Sequence, residues 1–156
     1  YGYLQSMNPK PWKPGMPGDV YNRNGDKYIL TMTTEDMAKT NAEWYLKMAE
    51  MLDKDTEVLP VCLGYWELRK QYGLSVNPYL SPEEGGDYGH QNNIGNYIAA
   101  CLLYAEVFEE SPEGLGIPKS HTFGMPGGKV TEEQARIIQQ VSWNVYNNWK
   151  KQNRSV

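Results

Sequence analysis

Positions Met37, Asn41, Trp44, Tyr45, Met48 and Leu52 recur at three- and four-residue steps, with Glu35 and Asp36 placed to favour a first turn behind a Thr33 or Thr34 cap. This spacing predicts an amphipathic helix over 34–53. The run Val58 to Gly64 is apolar, short and rich in branched residues, which predicts a buried strand, with Pro60 tolerated at its start or edge. Tyr65 to Tyr72 reads as a short helix. Ile94 to Phe108 is apolar on most sides, as in a helix covered all round, and should be the most buried element. Thr131 and Gln134 then form a capping box, and Ala135, Ile138, Val141, Val145 and Trp149 mark one face of a last helix ending near Lys151.

Between these elements Gly, Pro and Asn are dense. Tyr1 to Lys27 reads as a long loop, so residues 1–33 form a Pro/Gly-rich segment ahead of the helices and single edge strand of 34–156. Gly73 to Gly89 and Ser111 to Gly128 are further connections. A lone strand needs a partner for its backbone groups. Either the other strands lie outside this chain, or Tyr1 to Leu4 and Tyr28 to Met32 contribute weak ones. The helix-strand-helix rhythm favours the first reading, a three-layer α/β fold in which Leu59 to Leu63 edges a parallel sheet completed from elsewhere. An isolated chain of that kind should be insoluble or molten.

Composition narrows the function. The 156 residues carry a net charge of −4, with no basic cluster beyond Lys150, Lys151 and Arg154, so nucleic acid is not an expected partner. No apolar run reaches the ~20 residues of a membrane helix, and Tyr1 to Lys10 carry no charged-then-apolar signal pattern. Twelve Tyr and five Trp against two Phe put a polar handle on most of the aromatic surface, which suits sugar-facing clefts as well as cores. Cys62 and Cys101 lie in apolar runs and are expected free and buried.

One segment concentrates chemistry: Gly85-Gly86-Asp87-Tyr88-Gly89-His90-Gln91-Asn92-Asn93-Ile94-Gly95. Asp87 and His90 stand three apart, close enough for the carboxylate to accept a hydrogen bond from one ring nitrogen and fix the tautomer. The other nitrogen is then free to act as a base toward a hydroxyl.

The segment resembles the last block of the SGNH (GDSL-type) hydrolases, in which Asp-x-x-His is followed by a polar residue, a Gly and an apolar helix. Val58-Leu59-Pro60-Val61-Cys62-Leu63-Gly64-Tyr65-Trp66 is similar to the family's last strand and following helix. Gly95-Asn96-Tyr97-Ile98-Ala99-Ala100 and the later Ser111-Pro112-Glu113-Gly114 are similar to the helix and exit loop of a bacterial subgroup. The final helix, with Glu132 to Ala135 early and Trp143 later, fits that subgroup too, so the likeness runs over roughly residues 30 to 150.

This resemblance implies a three-layer parallel-sheet fold, of which residues 1–156 would be the C-terminal part. It also implies serine esterase chemistry on small acyl esters, including acylated carbohydrate, without a cofactor and in an extracytoplasmic or secreted setting. In it Asp87 and His90 are the catalytic pair. No Gly-Asp-Ser or Gly-x-Ser-x-Gly surrounds Ser6, Ser75, Ser81, Ser111, Ser120, Ser142 or Ser155, so the nucleophile is expected from an N-terminal half or another chain. The alternative is a non-catalytic structural or carbohydrate-binding module derived from the same fold.

Weaker candidates carry less. Asp19, Asn22, Asn24, Gly25 and Asp26 miss the EF-hand calcium spacing, and no metal site is expected. His121 has no nearby carboxylate. Glu83 and Glu84 read as solvated residues bordering the cleft, and Glu106, Glu109, Glu110 and Glu113 as a solvated helix end. Trp12, Trp66 and Tyr88 suit either a substrate cleft or an anchoring role.

Overall fold

Two long helices set the core. α3 (Asn93–Phe108) and α4 (Glu132–Asn153) press Ile98, Cys101, Leu102 and Ala105 against Ala135, Ile138, Val141 and Val145, all buried. In this computed structural model the described residues are 2–3, 19–21, 27–29, 34–52, 56–73, 75–78, 91–117 and 129–153. α4 starts at the capping box expected from the sequence: Gln134 N–H donates to Thr131 Oγ1 at 3.1 Å, and Thr131 N–H donates to Gln134 Oε1 at 3.0 Å.

α2 (Val61–Tyr72) lies on this pair and adds Val61, Tyr65 and Leu68 to the same core. Close approach of α2 and α3 requires a glycine. A Cβ on Gly64 would stand 2.9 Å from Ile98 Cδ1 and 3.3 Å from Leu102 Cδ1. The other flank of α2 receives α1 (Thr34–Leu52) through small residues: Ala38, Ala42 and Ala49 are buried, and Cys62 Sγ donates to the Ala38 carbonyl at 3.3 Å. Both cysteines are free and buried.

The strands are short. β1 (Gly2–Tyr3) pairs in parallel with β4 (Val58–Leu59), with Gly2 opposite Val58 and Tyr3 opposite Leu59. β2 (Asp19–Tyr21) and β3 (Lys27–Ile29) pair antiparallel, with Val20 opposite Tyr28, inside a stretch expected to be largely loop.

This corrects the expected fold class. The described residues are mostly helical, and their strands form two separate two-stranded pairs of two or three residues each. They do not build the three-layer parallel-sheet α/β architecture of an SGNH-like hydrolase. The predicted strand Leu59 to Leu63 ends at its first residue, because Pro60 has no N–H for a ladder while its φ of −81° suits the start of a helix. From there Gly64 N–H donates to the Pro60 carbonyl at 3.1 Å, so the short helix read over Tyr65 to Tyr72 begins four residues earlier. The apolar run misled because α2 is covered by α1 on one side and by α3 and α4 on another, and such burial removes the polar face that marks a helix in sequence. β4 also finds its partner within residues 1–156, against the expectation that its neighbours come from elsewhere.

Two further readings change. α1 turns its alanines inward, while Trp44, Met48 and Leu52, assigned to the buried stripe, are exposed together with Met51. Glu106, read as part of a solvated helix end, is buried and accepts a bond from Lys150 Nζ at 2.6 Å. No helix among the described residues is long and apolar enough to cross a membrane.

Candidate functional site

The N-terminus of α3 is built around a buried asparagine. Asn92 caps the helix: its Oδ1 accepts from Ile94 N–H at 2.9 Å and from Gly95 N–H at 3.1 Å, satisfying two of the amides that a helix start leaves without partners. The same side chain reaches outward through Nδ2, which donates to the Asn77 carbonyl at 2.8 Å. Asn92 N–H donates to the Pro78 carbonyl at 2.9 Å. Its carbonyl also accepts from Asn96 N–H at 2.9 Å, so one residue is bonded both to its own helix and to the segment that follows α2.

The other side of this junction is equally tied. Arg69, buried near the end of α2, donates from Nη1 to Asn77 Oδ1 at 2.7 Å, a bond strengthened by the guanidinium charge. Tyr65, fully buried on α2, donates its hydroxyl to the Gly95 carbonyl at 3.2 Å. Gly95 has to be glycine: an added Cβ would meet the Pro78 carbonyl oxygen at 2.5 Å and Gln91 Cβ at 2.7 Å. The chain thus leaves the described core at Pro78 and returns to it at Gln91, with both points held on the α2–α3 seam.

Asp87 and His90 lie between these points and outside the described residues, as do Glu83, Glu84 and Tyr88. Trp12 and His121 are also outside them. Trp66 is placed: it packs with Ala38 and Leu63 between α1 and α2, a core position and not a cleft wall. Among the serines, Ser75 donates to the Tyr72 carbonyl at 2.6 Å, Ser111 Oγ accepts from Glu113 N–H at 3.3 Å, and Ser142 is wholly buried between α4 and α3. Ser6, Ser81, Ser120 and Ser155 lie outside the described residues.

The Ser-Pro-x-Gly stretch after α3 has a structural role of its own. Gln139 of α4, itself buried, accepts from Gly114 N–H at 3.1 Å and donates to the Leu115 carbonyl at 2.8 Å, so α4 holds the turn directly. Gly114 sits at a φ of 86°, where a side chain would be strained. Among the described residues no group of three or more His, Cys, Asp or Glu is placed to hold a metal ion.

Sequence reasoning passed over Asn92, Asn77 and Arg69. The signal for Asn92 was present, an Asn immediately before an apolar helical run. Nothing local marks Asn77 or Arg69, because their partners are many residues away. Comparison with known proteins adds no name to this arrangement: no protein-family model, no curated protein and no solved structure matches the chain.

Proposed function

We propose that this chain supplies the histidine and aspartate of a serine esterase acting on small acyl esters, including acylated carbohydrate. His90 is the base and Asp87 the residue that orients it. The reading rests on one observation: Asp87-x-x-His90 ends two residues ahead of Asn92, so the pair belongs to the short stretch of chain that returns to the core at the anchored start of α3. The resemblance of this block to SGNH hydrolases supports the same chemistry, as does the abundance of tyrosine and tryptophan.

In the reaction, one His90 ring nitrogen takes the proton of a serine hydroxyl as that oxygen attacks the ester carbonyl. Asp87 accepts a hydrogen bond from the other ring nitrogen and stabilises the imidazolium formed. The proton then passes to the departing alkoxide, leaving an acyl-serine, and water activated by the same imidazole releases the acid. The serine comes from outside the described core, on another part of the protein or on another chain. Small polar substrates and an extracytoplasmic setting follow from the same resemblance.

The test is hydrolysis of p-nitrophenyl acetate by the assembled protein. His90→Ala is expected to lower kcat by a factor of about 10³ or more, and Asp87→Asn by up to about 10⁴ through the wrong tautomer. Full activity in His90→Ala overturns the assignment. The alternative, a non-catalytic module, is favoured by the lack of a Gly-Asp-Ser block in residues 1–156. Labelling of the assembled protein by a fluorophosphonate probe, lost in His90→Ala, decides for the esterase.

A further inference from the structure

α3 is apolar on most sides, yet α2 and α4 cover only part of it. Ile98, Cys101, Leu102 and Ala105 turn toward those two helices and are buried. On the opposite side Asn96, Ala100, Leu103 and Val107 follow one another at steps of four, three and four residues, the spacing with which one helix presents a continuous stripe to another. Ala100 is exposed, Leu103 is 41% exposed, Val107 49% and the adjoining Phe108 59%. No charge interrupts this stripe. The one carboxylate within α3, Glu106, is buried against Lys150, and residues 91–117 contain no lysine or arginine. A helix at the surface of a lone molecule turns a polar face to water, and a contiguous apolar one marks an interface.

The end of α3 departs from a second rule. Glu109 and Glu110 follow directly on the helix and are exposed, at the negative end of its dipole, where cations are favoured and carboxylates are not. Glu110 accepts from the Tyr104 hydroxyl at 3.2 Å, which holds its carboxylate beside the apolar stripe.

We propose that this stripe is the interface of a symmetric dimer, in which α3 of one copy packs antiparallel against α3 of a second. A two-fold axis crossing the stripe between Ala100 and Leu103 sets Ala100 of each copy against Leu103 of the other, and Asn96 against Val107. Small side chains then meet large ones, and the two helices approach closely. The same axis carries Glu110 of each copy to the first turn of the other copy's α3, level with Asn93, where the dipole is positive. Carboxylates misplaced on their own helix are well placed on its neighbour. A parallel pair would instead bring the two Glu110 side chains together, so charge selects the direction of pairing.

The experiment is analytical ultracentrifugation of the full chain over a range of concentrations, with thermal melts of dilute samples to establish folding. The mass is expected to rise with concentration from 17.8 kDa toward twice that value. Leu103→Glu brings two like charges close to the axis and should hold the chain at the single mass. Its dilute melt should match that of the unaltered protein, because position 103 is already open to water. Val107→Glu makes the same test at a second position, should Leu103→Glu not fold. Glu110→Gln keeps the acceptor for Tyr104 but removes one charge at each of two symmetric sites, and should weaken association about three- to tenfold. Met51→Lys, on the exposed side of α1, should leave association unchanged.

A single-chain mass for the unaltered protein at millimolar concentration overturns the proposal and leaves the stripe to a different protein. A dimer that survives the folded glutamate variants, or that is lost in Met51→Lys, places the interface elsewhere and overturns it too. Unchanged or tighter association in Glu110→Gln overturns the antiparallel arrangement.

Discussion

The side-chain amide of Gln139 donates to the hydroxyl of Tyr97 at 2.7 Å, in the middle of the α3–α4 interface. Gln139 is 3% exposed and spends its remaining capacity on Gly114 and Leu115, so a single side chain joins both helices to the turn between them. Gln139→Leu strands several buried partners and is expected to cost about 2–3 kcal/mol in a denaturant melt. Tyr97→Phe, which leaves the Leu115 bond intact, should cost only about 1 kcal/mol. Burial pushes the Tyr97 phenol up, and the bond from Gln139 opposes that push. Absorbance titration should therefore find the phenol higher still in Gln139→Leu.

Lys150 separates a buried ion pair from an exposed one within a single side chain. It lies 2.6 Å from Glu106, whose side chain is 5% exposed, and 3.2 Å from Glu57, which is 46% exposed. Lys150→Met takes the countercharge from a buried carboxylate and is expected to cost about 3 kcal/mol or more. Glu57→Gln should change stability by less than about 1 kcal/mol. Urea unfolding of the two variants checks the contrast.

Gly64 and Ile98 form a test of packing between α2 and α3. Gly64→Ala forces a Cβ to within 2.9 Å of Ile98 Cδ1 and is expected to cost about 1–3 kcal/mol. Ile98→Val removes that terminal carbon at about 1 kcal/mol by itself. Combined, the two should cost clearly less than their sum, because the valine makes the room that the alanine needs. A double-mutant cycle that is merely additive would refute the contact.

Burial pushes the Cys62 thiol up to about 12, with main-chain bonds opposing it in part. Cys101 is also pushed up to about 12 by burial, with bonds from Tyr97 and Ser142 opposing. In the unfolded chain a thiol ionises near 9. The folded state thus holds these protons longer, and stability should fall as pH rises from about 9 toward 12. The double variant Cys62→Ala, Cys101→Ala should lose that part of the slope. Below pH 9 neither thiol should react with a disulfide reagent until the protein unfolds.

How much of this was legible in the sequence depends on where the deciding partner lay. α3 and α4 were readable because their signals are local: a long apolar run marks α3, and the Thr131–Gln134 box and apolar spacing mark the start and face of α4. The existence of α1 was readable and its orientation was not. Periodicity ranks large apolar residues as buried, but α1 approaches α2 so closely that alanines fill the seam, and Trp44, Met48, Met51 and Leu52 are left outside. Met51→Lys and Leu52→Lys should accordingly shift stability by no more than about 0.5 kcal/mol in thermal melts.

The candidate site divides along the same line. Asp87 and His90 are legible as a spacing, while the tie from Asn92 to Asn77 and Pro78 is not, because it spans fifteen positions and runs partly through main-chain atoms. The strand expected over Val58 to Gly64 shrinks to Val58–Leu59 for a related reason. Its partner, Tyr3 beside Leu59, stands at the other end of the chain's first third, and Pro60 looks in sequence like a flaw in a strand when it begins a helix.

That distance has a kinetic consequence. Twenty-three residues separate α3 from α4, whereas joining Tyr3 to Leu59 closes a loop of more than fifty residues in return for a pair only two residues long. The entropy of closing so long a loop must be overcome before the pairing gains anything, so the helices collapse first and the N-terminal strand docks afterwards onto a nearly finished surface. Substitutions at Gly2 or Tyr3 should then speed unfolding while leaving the folding rate almost untouched.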